Sequence, residues 1–281
     1  MQRDSTLEDR NAAVRARRSP ARTAGGGPSD ARRHAAEGGA LSRGFAILRA
    51  FEKGSIHLGN VEISQRTGIP KATVSRLTST LFRLGYLSFN RDFQKYSISP
   101  GILDLAYQVF MTHDLHVVAR PLMQRLAEET QSTVGLAVPD GSSVVYLEYA
   151  KTRSAQAYDV AIGYRLPIAR TVLGRSCLAA MSADARNSQL REIRRSTKRA
   201  EWPELERRIA AAMDSVWRHG FCVGGGEISP ANRAVGIPFV QSGRIYAFNC
   251  VAPAFEFSDD RMTNEIGPGL IKLVRDLNAG G

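Results

Sequence analysis

The chain holds only three cysteines, Cys177, Cys222 and Cys250, far apart and odd in number. That count argues against a disulfide framework or a cysteine-based zinc site and points to a reducing compartment. No stretch approaches the roughly 20 continuous apolar residues that span a bilayer, so no membrane association is expected. The amino terminus is rich in Arg and Ala but has no apolar core or cleavage site, so a secretory signal is not expected and a cytoplasmic location is. Catalytic signatures are missing too. There is no nucleophile elbow of the Gly-x-Ser-x-Gly type and no phosphate-binding Gly-x-x-x-x-Gly-Lys loop. The run Gly224–Gly226 lacks dinucleotide-binding spacing and reads as a flexible, lid-like loop. His113 and His116 stand three apart without a third ligand near in sequence, which suits a packed or solvated pair better than a metal site. Cys177, in an Ala- and Leu-rich segment, reads as a small core residue. Neither metal nor cofactor is expected, and an enzyme is the lesser of the two function classes considered.

What is present begins with charge and its placement. The net charge is +11, and 43% of residues are hydrophobic, so a soluble globular protein with an anionic partner is the first reading. Residues 1–40 carry eight Arg against five acids, or +3; residues 41–105 carry nine basic against four acidic side chains, or +5; the remaining residues carry 21 and 18, or +3. Charge density is therefore greatest in one short block. At 281 residues the chain can hold two domains. Residues 1–40, with repeated Ala, Arg and Gly and almost no aliphatics, read as a disordered basic arm that either tracks DNA phosphates or has no function.

Between 41 and 100 the pattern is helix, helix, turn, helix and a two-stranded ribbon. Leu41, Phe45, Leu48 and Phe51, with Ile47, form a first apolar stripe, followed by a short extended piece, Ile56–Leu58. A second helix spans Val61–Arg66, with Asn60 as its N-cap and Gly68 at its end. Pro70 opens the third, whose buried stripe is Val74, Leu77, Leu81 and Leu84. Two strands, Tyr86–Phe89 and Tyr96–Ile98, flank the turn Asn90-Arg91-Asp92. This is the plan of a winged helix-turn-helix domain. Its third helix then turns Lys71, Ala72, Thr73, Ser75, Arg76 and Ser79 outward. Lys71 and Arg76 can reach phosphates or guanine edges, Thr73 and Ser75 can bond to either, and Ala72 can touch a thymine methyl. Arg91 and Lys95 in the wing suit the DNA backbone. The competing reading of the same face is a solvated surface on a protein-interaction module.

A linker helix is expected over 101–117, and a mixed α+β domain over 118–281. That domain has helices at Val118–Thr130, Leu173–Met181, a charged stretch from Ala185 to Gly220 and Asp259–Leu277. Strands are expected at Thr133–Val138, Val144–Tyr149, around Tyr158–Ile162, Ala234–Val240 and Ile245–Ala252. Turns at Asp140-Gly141 and Ser242-Gly243 imply antiparallel pairing.

These motifs together resemble the isocitrate-lyase-regulator (IclR) family of bacterial transcription factors, from about Leu41 to the carboxyl end. The resemblance rests on Leu41-Ser42-Arg43-Gly44, Arg66-Thr67-Gly68-Ile69-Pro70-Lys71 and Leu84-Gly85-Tyr86-Leu87 in the first half. In the second it rests on Ala119-Arg120-Pro121, Leu126-Ala127-Glu128-Glu129-Thr130 and Leu166-Pro167-Ile168 leading to Thr171, Leu173 and Gly174. It implies a GAF-like sensing domain, a homodimer or dimer of dimers on palindromic double-stranded operators, and a small organic acid or aromatic effector. Mapped by motif, the effector pocket comprises Tyr158, Val172, Leu173, Gly224, Ala234, Asn249 and Val251. Several positions depart from the family pattern. Ala169 stands for a frequent His, Gly224-Gly225-Gly226-Glu227 for an acidic run, Ala234 for a frequent Cys, and Asn249-Cys250-Val251 for Ser-x-Ser. A larger or more apolar ligand is then expected, held by Asn249; the alternative is that these positions fill a core. The main expectation is a ligand-responsive DNA-binding regulator. Its rival is a small-molecule enzyme with an accessory winged helix.

Overall fold

The computed structural model describes residues 39–51, 56–113, 115–152 and 161–279. The first 38 residues of the expected basic arm, and Tyr158 of the expected pocket, lie outside the described residues.

The amino-terminal unit comprises α1 (Ala40–Arg49), α2 (Asn60–Thr67), α3 (Lys71–Arg83), β1 (Leu87–Asn90) and β2 (Lys95–Ile98). Its core gathers Ala46, Ile47, Ile63, Val74, Leu77 and Leu87 from all three helices and the first strand. Gly68, at φ +73°, ends α2 in the left-handed conformation that lets α3 start at Lys71. Pro70 is the N-cap of α3 rather than a first-turn residue. The extended piece before α2 narrows to one bridge, with Leu58 and Tyr96 exchanging both backbone hydrogen bonds at 2.9 Å.

Three local expectations are corrected. Asn60 is the first residue of α2, not its cap; Gly59 caps it, and Glu62 Oε2 accepts the Gly59 N–H at 2.6 Å. The Asn60 side chain instead accepts from Thr78 Oγ1 at 3.1 Å, which ties α2 to α3. Leu41, Phe45 and Leu84 are exposed, although the first stripe and the α3 stripe include them. A 3.6-residue period identifies an apolar face but does not say whether the same protomer covers it. Here Gly44, Ala46 and Ile47 turn inward and the Leu41/Phe45 face is left open.

Helix α4 (Ile102–Thr112) follows, with no buried residue in spite of its apolar sequence. The second unit has α5 (Leu115–Thr130), β3 (Thr133–Asp140), β4 (Ser143–Lys151), β5 (Arg165–Pro167), α6 (Val172–Ala180), α7 (Ala183–Ser196) and α8 (Trp202–His219). Next come β6 (Cys222–Gly225), β7 (Asn232–Gln241), β8 (Arg244–Pro253) and α9 (Gly267–Ala279), the last entered through helical turns from Asp259. The strands form one antiparallel sheet in the order β5-β4-β3-β8-β7-β6. Helices α5 and α9 cover one face, meeting Val134, Leu136, Phe248 and Cys250. Helices α6 and α8 cover the other, over Ala137, Val144, Tyr146 and Ala247. The fold is thus a helix-turn-helix domain joined to an antiparallel sheet with helices on both faces.

Residues 158–160 of the strand expected around Tyr158–Ile162 lie outside the described residues, and Ala161 and Ile162 are not in a strand. Gly163, at φ +81°, turns the chain there and β5 begins only at Arg165. The charged region expected from Ala185 to Gly220 is helical and divides into α7 and α8. Gly224–Gly226 is not simply a loop: Gly224 and Gly225 belong to β6 and pair with Ala234 and Arg233. Glycine suits that edge because a Cβ on Gly225 would lie 2.7 Å from the Asn232 carbonyl oxygen.

Candidate functional site

Helix α3 turns Val74, Leu77 and Thr78 into the amino-terminal core and leaves Lys71, Ala72, Ser75, Arg76 and Ser79 exposed, with Thr73 half-buried between them. The exposed residues share one face and the first turn. Pro70 carries no N–H, and the helix has no acid in its first turn, so its positive end meets solvent uncompensated. In the wing, Arg91 is exposed at the turn, where Asn90 Oδ1 accepts from the Asp92 and Phe93 amides at 2.9 and 3.1 Å. Lys95 is held differently from Arg91. Its ammonium lies 2.9 Å from Glu62 Oε1, so it braces β2 against α2 while keeping part of its surface exposed. The Gly59 amide, and after it Lys95, hold the Glu62 carboxyl below the usual carboxylate range. Neither Glu62 nor the exposed Phe93 at the wing tip carries a sequence signal of its role; both follow from the fold.

A second feature lies under α6. A small cleft of about 60 Å³, partly open to solvent, is bounded by the first turn of α6, by β6, β7 and β8, and by Tyr146 from β4. Val172, Leu173, Gly224, Ala234, Asn249 and Val251 all line it. Six of the seven pocket residues expected from the sequence therefore meet around one cavity. Thr171 caps α6, its Oγ1 accepting from the Gly174 amide at 3.1 Å. The preceding amides, of Val172 and Leu173, have no intrahelical acceptor at this helix start, and both residues line the cavity. The helix reaches this close to the sheet because Gly236 sits under it; a Cβ there would fall 2.8 Å from the Val172 backbone.

The cavity also contains groups that sequence spacing did not reveal. Tyr146 Oη accepts from Asn249 Nδ2 at 3.1 Å, and both residues are buried. Burial raises the Tyr146 pKa well above its ordinary value. Glu227 closes one side. It binds the buried Arg175 guanidinium at 2.6 Å, while Arg175 Nε donates to the Ala169 carbonyl at 2.9 Å. Arg170 and Arg233, also in the wall, are engaged by Glu201 and by Asp259 with the Phe257 carbonyl. Gly135 lies opposite Asn249 across β3 and β8, a pairing that only strand register reveals.

Other candidates for chemistry are occupied in structural roles. His113 Nδ1 lies 3.1 Å from Tyr246 Oη, and His116 Nδ1 lies 2.7 Å from the His113 carbonyl. Among the described residues no group of three or more His, Cys, Asp or Glu side chains could hold a metal ion. All three cysteines are buried, and burial raises their pKa values, to about 11 for Cys222 and about 12 for Cys250. None is a ready thiolate near neutral pH. No described helix is long and apolar enough to cross a membrane.

Comparison with known proteins agrees with both halves. Residues 40–91 match the IclR helix-turn-helix domain, and residues 107–279 match the bacterial transcriptional regulator IclR carboxyl-terminal domain. The chain is 32% identical over 245 residues to the HTH-type transcriptional regulator TsaQ1/TsaQ2 of Comamonas testosteroni, covering 85% of this chain and 87% of that one. It is 29% identical to the Pca regulon regulatory protein of Pseudomonas putida, covering 84% and 82%. An IclR family transcriptional regulator from Brucella abortus superposes with a TM-score of 0.71 at 36% identity, covering 86% of this chain and 92% of that one. The chain belongs to the IclR family and is a DNA-binding transcriptional regulator of that family.

Proposed function

We propose that this regulator reads a palindromic double-stranded operator as a homodimer or dimer of dimers, and that a small organic acid or aromatic effector in the cavity under α6 controls its binding. The observation that carries the reading is the pairing of a polar, cationic α3 face with a separate, partly enclosed cavity that holds buried polar groups. Lys71 and Arg76 contact phosphate or guanine, Ala72, Thr73, Ser75 and Ser79 contact base edges or sugar-phosphate, and Arg91 contacts the backbone from the wing. Lys95 contributes through the brace to Glu62 as much as through its charge. Val172, Leu173, Gly224, Ala234, Asn249 and Val251 contact the effector. The protein acts by binding and not by turnover, on DNA in the cytoplasm.

Dimerisation is supported by the apolar surface of the linker. Leu103, Leu105, Tyr107, Val109 and Met111 on α4 are all exposed, and Leu41, Phe45 and Leu84 lie exposed in the amino-terminal unit. A patch of this kind on a soluble protein marks an interface. A dimer also matches the two half-sites of a palindrome.

The test is an anisotropy titration of the protein against its own upstream intergenic DNA, with random DNA as competitor, across a salt series. Binding that survives the competitor and weakens steeply with salt is the expected result. Arg76→Ala is expected to cost about 1–3 kcal/mol and, where Arg76 contacts phosphate, to lower the salt slope by about one. Absence of binding at low salt would refute the proposal.

A further inference from the structure

The Tyr146–Asn249 pair carries an inference about the effector itself, resting on the cavity being the effector site. Asn249 is 3% exposed, and its Oδ1 accepts no hydrogen bond from any described residue. Its Nδ2 is spent on Tyr146 Oη. Folded proteins leave few buried polar atoms unsatisfied, and those they leave call for a partner from outside the chain. The Tyr146 hydroxyl accepts one bond and still has its own proton to give, since a phenol both accepts and donates. The pair therefore offers one free acceptor, Asn249 Oδ1, and one free donor, Tyr146 O–H. Exchanging the amide oxygen and nitrogen swaps which residue plays which part but again leaves one donor and one acceptor.

Gly135 shows that this space is kept open. It pairs with Asn249 across β3 and β8, and a Cβ there would lie 2.6 Å from Asn249 Oδ1 and run into the Tyr146 ring. The two polar groups can lie side by side only because position 135 has no side chain. Both residues also line the cavity, as do Val172 and Leu173 at the start of α6.

A hydroxyl is the smallest group that donates and accepts at once. We propose that Tyr146 and Asn249 form a clamp for a ligand hydroxyl, and that the effector is a hydroxylated organic acid, its carboxylate at the first turn of α6. The hydroxyl donates to Asn249 Oδ1 and accepts from Tyr146. An acid without it leaves both groups unpaired, and a site built this way rejects such an analogue more strongly than a site that only fits its shape.

Isothermal titration of the full-length protein with matched pairs tests the clamp. Benzoate is compared with 3- and 4-hydroxybenzoate, and butanoate with 4-hydroxybutanoate. At least one hydroxylated acid is expected to bind tenfold or more tightly than its parent. Tyr146→Phe, which keeps the ring in the core, and Asn249→Leu should each reduce that preference to within twofold. Equal affinity within both pairs, or a preference that survives both substitutions, would overturn the clamp yet keep the cavity as an acid-binding site. Heat from none of the five acids would overturn the clamp and the reading of the cavity as an acid site together.

Discussion

Removing the Glu227 carboxylate tests whether the connection between β6 and β7 is fixed from within. Glu227 and Arg175 are both nearly buried, at 11% and 5% side-chain exposure, and meet at 2.6 Å. Arg175 has one other described bond, from Nε to the Ala169 carbonyl. Glu227→Ala therefore leaves a buried guanidinium with most of its donors unpaired. Breaking a buried pair in this way typically costs about 3–5 kcal/mol. The cavity beside Glu227 can admit water to the stranded charge, so the lower end, about 3 kcal/mol, is expected. In a unit of this size, where each kcal/mol moves the melting temperature by about 2–4 °C, that is a fall of about 6–12 °C in the transition of the carboxyl-terminal unit. Scanning calorimetry reads it. Arg175→Met combined with Glu227→Leu removes both charges and should recover most of the loss. A single-variant loss below about 1 kcal/mol, or a double variant no better than the single, would refute the idea that the pair holds the loop.

Three further outcomes follow from the same geometry. Gly135→Ala forces a methyl between Tyr146 and Asn249; overpacking of this kind costs about 1–3 kcal/mol, and effector binding by calorimetry should fall at least tenfold. Leu105→Asp with Val109→Asp places charge on the apolar face of α4, and sedimentation should show a shift towards monomer with no loss of helix by circular dichroism. The third concerns acid. The folded-state pKa of Glu62 is lowered, so its contribution to stability is fully present above the ordinary carboxylate range and is lost as pH falls through the lowered value. Glu62→Gln should flatten that part of the acid unfolding curve followed by the circular dichroism of the amino-terminal unit.

How much of this was legible in the sequence depends on how local the cause is. Gly68 and Pro70 bracket α3 by backbone chemistry alone, and Val74 and Leu77 turn inward as their spacing requires. Ser242 and Gly243, both at positive φ, make the tight β7–β8 hairpin expected of them. Leu41, Phe45 and Leu84 share the right period but stay exposed, because a period marks an apolar face without saying what covers it. Asn60 has the chemistry of a cap, yet a carboxylate three residues inside the helix reaches the cap amide and frees Asn60 for Thr78. The six cavity residues could be named from motif positions, whereas Tyr146, Gly135 and Glu227 could not. They meet Asn249 or Arg175 only through strand register or a long-range ion pair.

Strand β8 joins the cavity wall to the end of α4. Strand β8 carries Asn249 and Val251 on the cavity side and Tyr246 and Phe248 on the opposite face, as alternation along a strand demands. Tyr246 packs edge-on against the His113 ring and meets its Nδ1, and Arg244 at the start of the same strand donates to the Thr112 carbonyl. Both partners sit at the carboxyl end of α4, the helix that leads back to the winged unit. A ligand that draws Asn249 towards the cavity therefore acts on the strand that grips the linker. Such a ligand shifts operator affinity only by its difference in affinity for two linker positions; tight binding without that difference shifts nothing. Tyr246→Phe removes the bond to His113 and keeps the ring. Its expected result is effector affinity unchanged within about twofold by calorimetry and a smaller effector-induced change in operator affinity by anisotropy. An unchanged effector response would exclude this contact as the coupling point.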